Sequence, residues 1–219
     1  MTDTNLTEVI AIIDRSGSMN PYSSDTINGF NSFLKEQKAL PGKIKITLAQ
    51  FDDKYQIDYD GIDINDVKDL DDKTYVPRGW TALYDAVGRT INTVGARLAA
   101  TKEEERPSKV IFLIITDGEE NKSTEFTYDA IKSMVEHQIS KYSWSFVYMG
   151  GGDILAQKKQ AANIGIPIAN TYNYSANSAG TKEVYAAFSS GLRRARALSG
   201  DLSTLDSFLT SQETNALIK

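Results

Sequence analysis

Apolar residues recur along this chain in two alternating patterns. Short continuous apolar runs, such as Val9-Ile10-Ala11-Ile12-Ile13 and Val110 to Ile115, are followed by stretches with apolar residues at helical spacing. Ile27, Phe30, Phe33 and Leu34 form one such stripe; Leu83, Val87, Ile91, Val94 and Leu98 form a second; Val184, Phe188 and Leu192 form a third. A run without alternation suits a strand buried on both faces, and the 3.6-residue stripes suit helices that cover it. The order strand–helix–strand–helix predicts a doubly wound α/β fold: a mostly parallel six-stranded sheet, one antiparallel edge strand, and helices on both faces.

The predicted strands are Val9–Ile13, Lys43–Phe51, Lys54–Ile62, Val110–Ile115, Ser143–Met149 and Ile166–Ala169. The link Asp52-Asp53 is too short for a parallel crossover, so its two strands form a hairpin. Val110–Ile115 is the most apolar and is placed centrally. Ser23 or Ser24 is the expected cap of the first helix, and Gly165 the expected C′ glycine of the helix after Asp153. Leu202, Leu205, Phe208 and Leu209 suggest another short helix, and little pattern remains from Ser211 onward. Gly150-Gly151-Gly152-Asp153 lacks a phosphate-loop lysine and reads as a flexible connection. The chain is expected to be one domain over 1–219, with a core over about 7–200 and a C-terminal helical extension over about 201–219.

Composition narrows the chemistry. The 219 residues suffice for a large single core. The absence of cysteine excludes disulfides, thiolate metal sites and thiol nucleophiles, and a single histidine, His137, excludes a multi-histidine centre within one chain. His137 is read as a surface residue. A net charge of −5 gives no electrostatic reason to expect nucleic acid or an anionic membrane. The first residues lack a basic segment followed by a long apolar one, so the expected location is cytoplasmic; a virion component assembled inside a cell would read the same.

Three segments fall where a strand ends or a helix begins. Asp14, Ser16 and Ser18 follow the first strand, Thr81 precedes the second helix stripe, and Asp117 follows Val110–Ile115. In an open parallel sheet such positions share one edge, where ligands bind. All five side chains offer oxygen, the donor of hard cations: Mg2+ first, with Mn2+ or Ca2+ also compatible. Gly17 lets the first loop turn tightly. Individually these residues have plainer readings: a helix cap for Asp14, Ser16 or Ser18, a turn for Asp117-Gly118, and for Thr81 a cap held together with the metal role. Trp80 either packs under its loop or stands exposed beside the site. Asp52-Asp53, Asp71-Asp72 and Glu103-Glu104-Glu105 read as solvated turns or faces, with Asp52 near the rim of the site.

Asp14-x-Ser16-x-Ser18, Gly79-x-Thr81-Ala82-Leu83-Tyr84-Asp85-Ala86 and Ile114-Ile115-Thr116-Asp117-Gly118-Glu119-Glu120-Asn121 together resemble the von Willebrand factor A family and its metal-ion-dependent adhesion site. Gln50-Phe51-Asp52 is similar to that family's second-strand ending, and the resemblance spans about residues 7 to 200. It implies that Ser16, Ser18 and often Thr81 ligate the metal by their hydroxyls. Asp14 and Asp117 then act mainly through water, with Asp117 approaching directly in a low-affinity arrangement. The remaining coordination position goes to an Asp or Glu of a protein partner. Met19-Asn20-Pro21-Tyr22 lacks the acidic residues of the family's second regulatory site, so that site is not expected. The function implied is a metal-dependent protein-binding module and not an enzyme. The alternative is a Mg-dependent phosphohydrolase, which wants a second acid where Ser16 stands and a lysine that no matching position supplies.

Overall fold

The computed structural model describes residues 1–198 and 208–217. Six strands form one sheet: β1 (Asp3–Asp14), β2 (Lys43–Phe51), β3 (Tyr55–Asp63), β4 (Pro107–Thr116), β5 (Ser145–Gly151) and β6 (Thr171–Tyr174). Their spatial order is β3-β2-β1-β4-β5-β6. Every neighbouring pair is parallel except the edge hairpin of β2 with β3. The predicted fold class therefore holds, including the central place of β4 and the antiparallel edge strand.

The helices are α1 (Ser23–Lys38), α2 (Leu83–Ala100), α3 (Tyr128–Tyr142), α4 (Ile154–Asn163), α5 (Ser178–Ala197) and α6 (Ser211–Leu217). Because side chains alternate across a strand, β1 feeds two cores. Val9, Ala11 and Ile13 pack with Phe30, Phe33 and Leu34 of α1 and with Val184, Phe188 and Leu192 of α5. Ile10 and Ile12 pack on the other face with Leu83, Val87, Ile91 and Val94 of α2, Ile131 and Val135 of α3, and Ala161 of α4. Both faces are thus covered, which is why β1 and β4 read as unbroken apolar runs.

Several local expectations are corrected. The last strand is Thr171–Tyr174 and not Ile166–Ala169. Pro167, which cannot donate to a strand ladder, opens a 3-10 turn at Ile168–Asn170 instead. Neither Ser23 nor Ser24 caps α1, because a 3-10 turn over Gly17–Tyr22 runs straight into it. Gly150 and Gly151 are the end of β5, and Asp153 caps α4 by accepting from Ala156 N at 2.8 Å, so this segment is an ordered strand-to-helix junction. Gly165 does take a positive φ of 79° just past α4. Of the helix suggested near Leu202 to Leu209, residues 202 and 205 lie outside the described residues. Phe208 and Leu209 are buried but not helical, and the helix present is α6, within the stretch that showed little pattern. Among the described residues no helix is long and apolar enough to cross a membrane.

Candidate functional site

The sheet order makes β1 the switch point: its connections lead to β2 on one side and β4 lies on the other. The loops that leave the carboxyl ends of β1 and β4 therefore diverge and open a crevice, the usual ligand position in such sheets. Asp14 closes β1 and Asp117 follows β4 by one residue.

All five singled-out residues meet there. Ser18 Oγ donates to Asp117 Oδ1 at 2.6 Å and lies 3.1 Å from Ser16 Oγ. Asp14 is fully buried and accepts from Ser16 N at 2.6 Å and from Thr116 Oγ1 at 2.5 Å. Thr81 joins through the space above Gly118. A methyl built on Gly118 would lie 3.0 Å from Thr81 Oγ1 and 3.7 Å from both Asp14 Oδ2 and Ser18 Oγ. Thr81 does not cap α2: the helix begins at Leu83, with Ala82 at the cap position. Its backbone pairs reciprocally with Asn121 instead, N to Oδ1 at 3.0 Å and O to N at 3.0 Å.

Electrostatically the site is two carboxylates in a desolvated crevice. Burial pushes the Asp14 carboxyl up to about 6, against the hydrogen bonds from Thr116 and Ser16 that oppose the rise; the charge of Asp117 adds to it. Burial also raises Asp117, with the Ser18 hydroxyl opposing. The adjacent Arg15 does not compensate either one. Its Nε donates to Asp52 Oδ2 at 3.1 Å and its NH1 to Gln56 Oε1 at 2.9 Å. Among the described residues no group of three or more His, Cys, Asp or Glu side chains is placed to hold a metal, so any cation here must rely on hydroxyls beside the two carboxylates.

The supporting shell went largely unread in the sequence. Asp52 is fully buried, not a solvated turn: its carboxylate takes Arg15 Nε, Arg78 Nε at 3.0 Å and Lys54 N at 2.6 Å. Tyr75, from the polar stretch before α2, donates its hydroxyl to Asp14 O at 2.6 Å. Glu120 accepts from Tyr84 N at 3.0 Å, and Asp85 accepts from the amides of Thr124, Glu125 and Phe126, so two carboxylates tie the loop after β4 to the start of α2. Gln160 of α4 donates to Gly118 O at 3.1 Å and accepts from Glu120 N at 2.7 Å. His137 is exposed, far from any such cluster in role, and Trp80 stands out at 62% exposure beside Thr81.

No family model and no curated protein matches this sequence. Solved structures do share its fold. Proximal thread matrix protein 1 from the mussel byssus, in a structure with a zinc-occupied MIDAS motif, is 15% identical with a TM-score of 0.59, over 87% of this chain and 48% of that one. The von Willebrand factor type A protein from Catenulispora acidiphila is 14% identical with a TM-score of 0.55, over 88% and 42%. The ArnB paralog VWA2 from Sulfolobus acidocaldarius is 14% identical with a TM-score of 0.53, over 84% and 44%. The chain thus spans less than half the length of these neighbours. Together they establish its architecture as the Rossmann-like fold of von Willebrand factor A domains.

Proposed function

We propose that this chain is a divalent-cation-dependent protein-binding module. Asp14, Ser16, Ser18, Thr81 and Asp117 would hold the cation, Mg2+ by preference, and an Asp or Glu of a partner protein would complete the site. The observation that carries this reading is one cluster of five oxygen-bearing side chains from three loops: Thr81, Asp14 and Ser18 surround the space above Gly118, and Ser16 and Asp117 hold the Ser18 hydroxyl.

The residues fit a hard cation. Every donor is oxygen. Gly118 leaves open a cradle that a Cβ would fill, and two carboxyls held above their ordinary range by burial have no cationic partner among the described residues. If Asp14 and Asp117 act mainly through water, as the family resemblance implies, the direct ligands are the neutral hydroxyls of Ser16, Ser18 and Thr81, and a cation held there would keep its positive character and attract a carboxylate. The byssus protein with zinc at such a motif supports the reading by analogy of fold. The residues of this chain bind and orient: Thr116 and the Ser16 amide fix the Asp14 carboxylate, and Ser18 fixes Asp117. Ser18 Oγ donates to the Asp117 carboxylate, a contact read here as ordering the ligand set and not as activating a nucleophile, so the chain is read as a binder and not as an enzyme.

Thermal unfolding tests the site. Millimolar Mg2+ or Mn2+ should raise the Tm of the wild type, and Asp14→Ala with Asp117→Ala should abolish the rise. An equal rise in the double mutant would move the metal elsewhere. EDTA should release the native partner; a partner held undiminished in EDTA would detach the interface from the metal. Phosphoester turnover that disappears in Asp14→Asn would replace this reading with the phosphohydrolase.

A further inference from the structure

The loop before Thr81 carries an exposed cation and an exposed indole on a backbone with little freedom. Arg78 N donates to Arg15 O at 2.8 Å, and Gly17 N donates to Gly79 O at 3.2 Å, so this loop is stitched to the Asp14–Ser18 loop. On its far side Thr81 pairs with Asn121, and Ala82 N donates to Asp52 O at 3.0 Å. Gly79 has a φ of +67°, and a side chain there would collide with the Asp53 carboxylate. The loop is therefore held on three sides, with its apex directed at solvent.

Two side chains occupy that apex. Trp80 is 62% exposed although the residue after it, Thr81, is buried. The Arg78 side chain is 54% exposed, yet its Nε is anchored at 3.0 Å on the fully buried Asp52 carboxylate. That anchor spends one nitrogen of a five-donor fork; no partner for the terminal nitrogens is seen among the described residues. Asp52 also serves Arg15, so one buried carboxylate stands between two guanidiniums and is not available to neutralise Arg78 alone; the exposed Asp53 carboxylate lies against Gly79 of the same loop. An indole and a pre-oriented guanidinium on a fixed loop are the side-chain types that dominate interface energetics, and their rigidity lowers the entropy lost on binding.

We propose that Arg78 and Trp80 form a second recognition point beside the cation, so that the partner is an acidic protein segment read at two places: one carboxylate toward the Asp14–Asp117 site and a second acidic side chain on Arg78, with apolar surface against Trp80. This rests on the reading of the site given above. It goes further by assigning specificity to residues outside the five-residue cluster. A planar fork favours a carboxylate over any neutral group, and charge complementarity excludes basic segments.

Random linear peptides displayed on yeast, selected on the immobilised full chain in Mg2+ and eluted with EDTA, test the proposal. Wild-type protein should enrich peptides with one acidic position common to all and a second acidic position at fixed spacing, with aromatic or aliphatic residues nearby. Arg78→Gln should keep the first acid and lose the second, and a synthetic wild-type winner should bind it about tenfold more weakly. Trp80→Ala should lose the apolar preference alone. Arg78→Glu should select a basic residue where the wild type selects the second acid, an inversion that only a folded protein can produce. A wild-type pool with a single acidic position, or an unchanged second acid in Arg78→Gln, would overturn the inference and leave the metal site standing. A pool that EDTA does not release would overturn the underlying reading, and this one with it.

Discussion

At the residue scale two positions separate stability from function. Gly118 has no positive φ, so alanine is tolerated by its backbone, but the added methyl would fall 3.0 Å from Thr81 Oγ1 and within 3.7 Å of Asp14 Oδ2 and Ser18 Oγ. Gly118→Ala should therefore change the metal-free unfolding free energy by less than about 1 kcal/mol while removing most of the Mg2+-dependent gain in Tm. A full gain in the alanine variant would place the cation away from this space. Asp52 behaves in the opposite way. Its carboxylate is buried with Arg15, whose side chain is only 5% exposed, whereas Arg78 is half exposed. Removing the acid strands a buried guanidinium; removing the outer arginine does not. Urea unfolding should show a loss of about 3 kcal/mol for Asp52→Ala and under about 1 kcal/mol for Arg78→Gln. Equal losses would mean that the Arg15 pair contributes no more than a surface contact.

At the element scale the sequence was legible wherever burial alone decides. β1, β2, β4 and the stripes of α2 and α5 are amphipathic or wholly apolar, and their patterns named them directly. The candidate site residues were legible for a related reason: Asp14 to Ser18 and Asp117 follow strand ends and Thr81 precedes a helix, positions that the pattern locates. What stayed hidden was whatever tertiary pairing decides. Asp52 looks like any hairpin acid until Arg15 and Arg78 converge on it, and Thr81 looks like a cap until Asn121 claims its backbone. α6 was missed because its seven residues carry little amphipathic pattern; it is docked through Leu217 in the core and through Arg194, which grips both Glu213 oxygens at 2.8 and 2.7 Å. Burial opposes the Glu213 charge, but the bonds from Arg194, Ser190 and Thr210 outweigh it and bring its carboxyl from 4.5 down to about 2. A depressed carboxyl stabilises the fold above its unfolded value and loses that contribution as pH falls through the folded one. Arg194 is 36% exposed, so solvent screening leaves on the order of 1–2 kcal/mol at neutral pH. The stability difference between wild type and Glu213→Gln should accordingly be constant above about pH 5 and shrink between 4.5 and 2. A difference independent of pH across that window would show that the arginine pair does not hold α6.

At the scale of the whole molecule the candidate site joins parts that the chain keeps far apart. Asp14 to Ser18 belong to the first strand's loop, Thr81 to the segment before α2, and Asp117 to the loop after β4, so the cluster spans a separation of 103 residues between Asp14 and Asp117 and exists only when the sheet is assembled. An unfolded chain offers the same side chains scattered, with negligible affinity for a cation. Binding of a cation at the proposed site would therefore be coupled to global unfolding, with a contribution that grows as RT ln(1 + [Mg2+]/Kd). Well above Kd, this term rises by about 1.4 kcal/mol for each tenfold increase in free Mg2+ if one cation is bound per chain. Surface screening by salt saturates and does not follow this law. Equilibrium unfolding in urea, at constant ionic strength and graded free Mg2+, should give this slope for the wild type and a flat line for the Asp14→Ala, Asp117→Ala variant. A slope near twice that value would require a second cation, against the expectation drawn from Met19 to Tyr22, where no acidic ligand stands. A flat line for the wild type would mean that the five oxygens at the switch point of this sheet hold each other by hydrogen bonds alone, as Ser18 already holds Asp117.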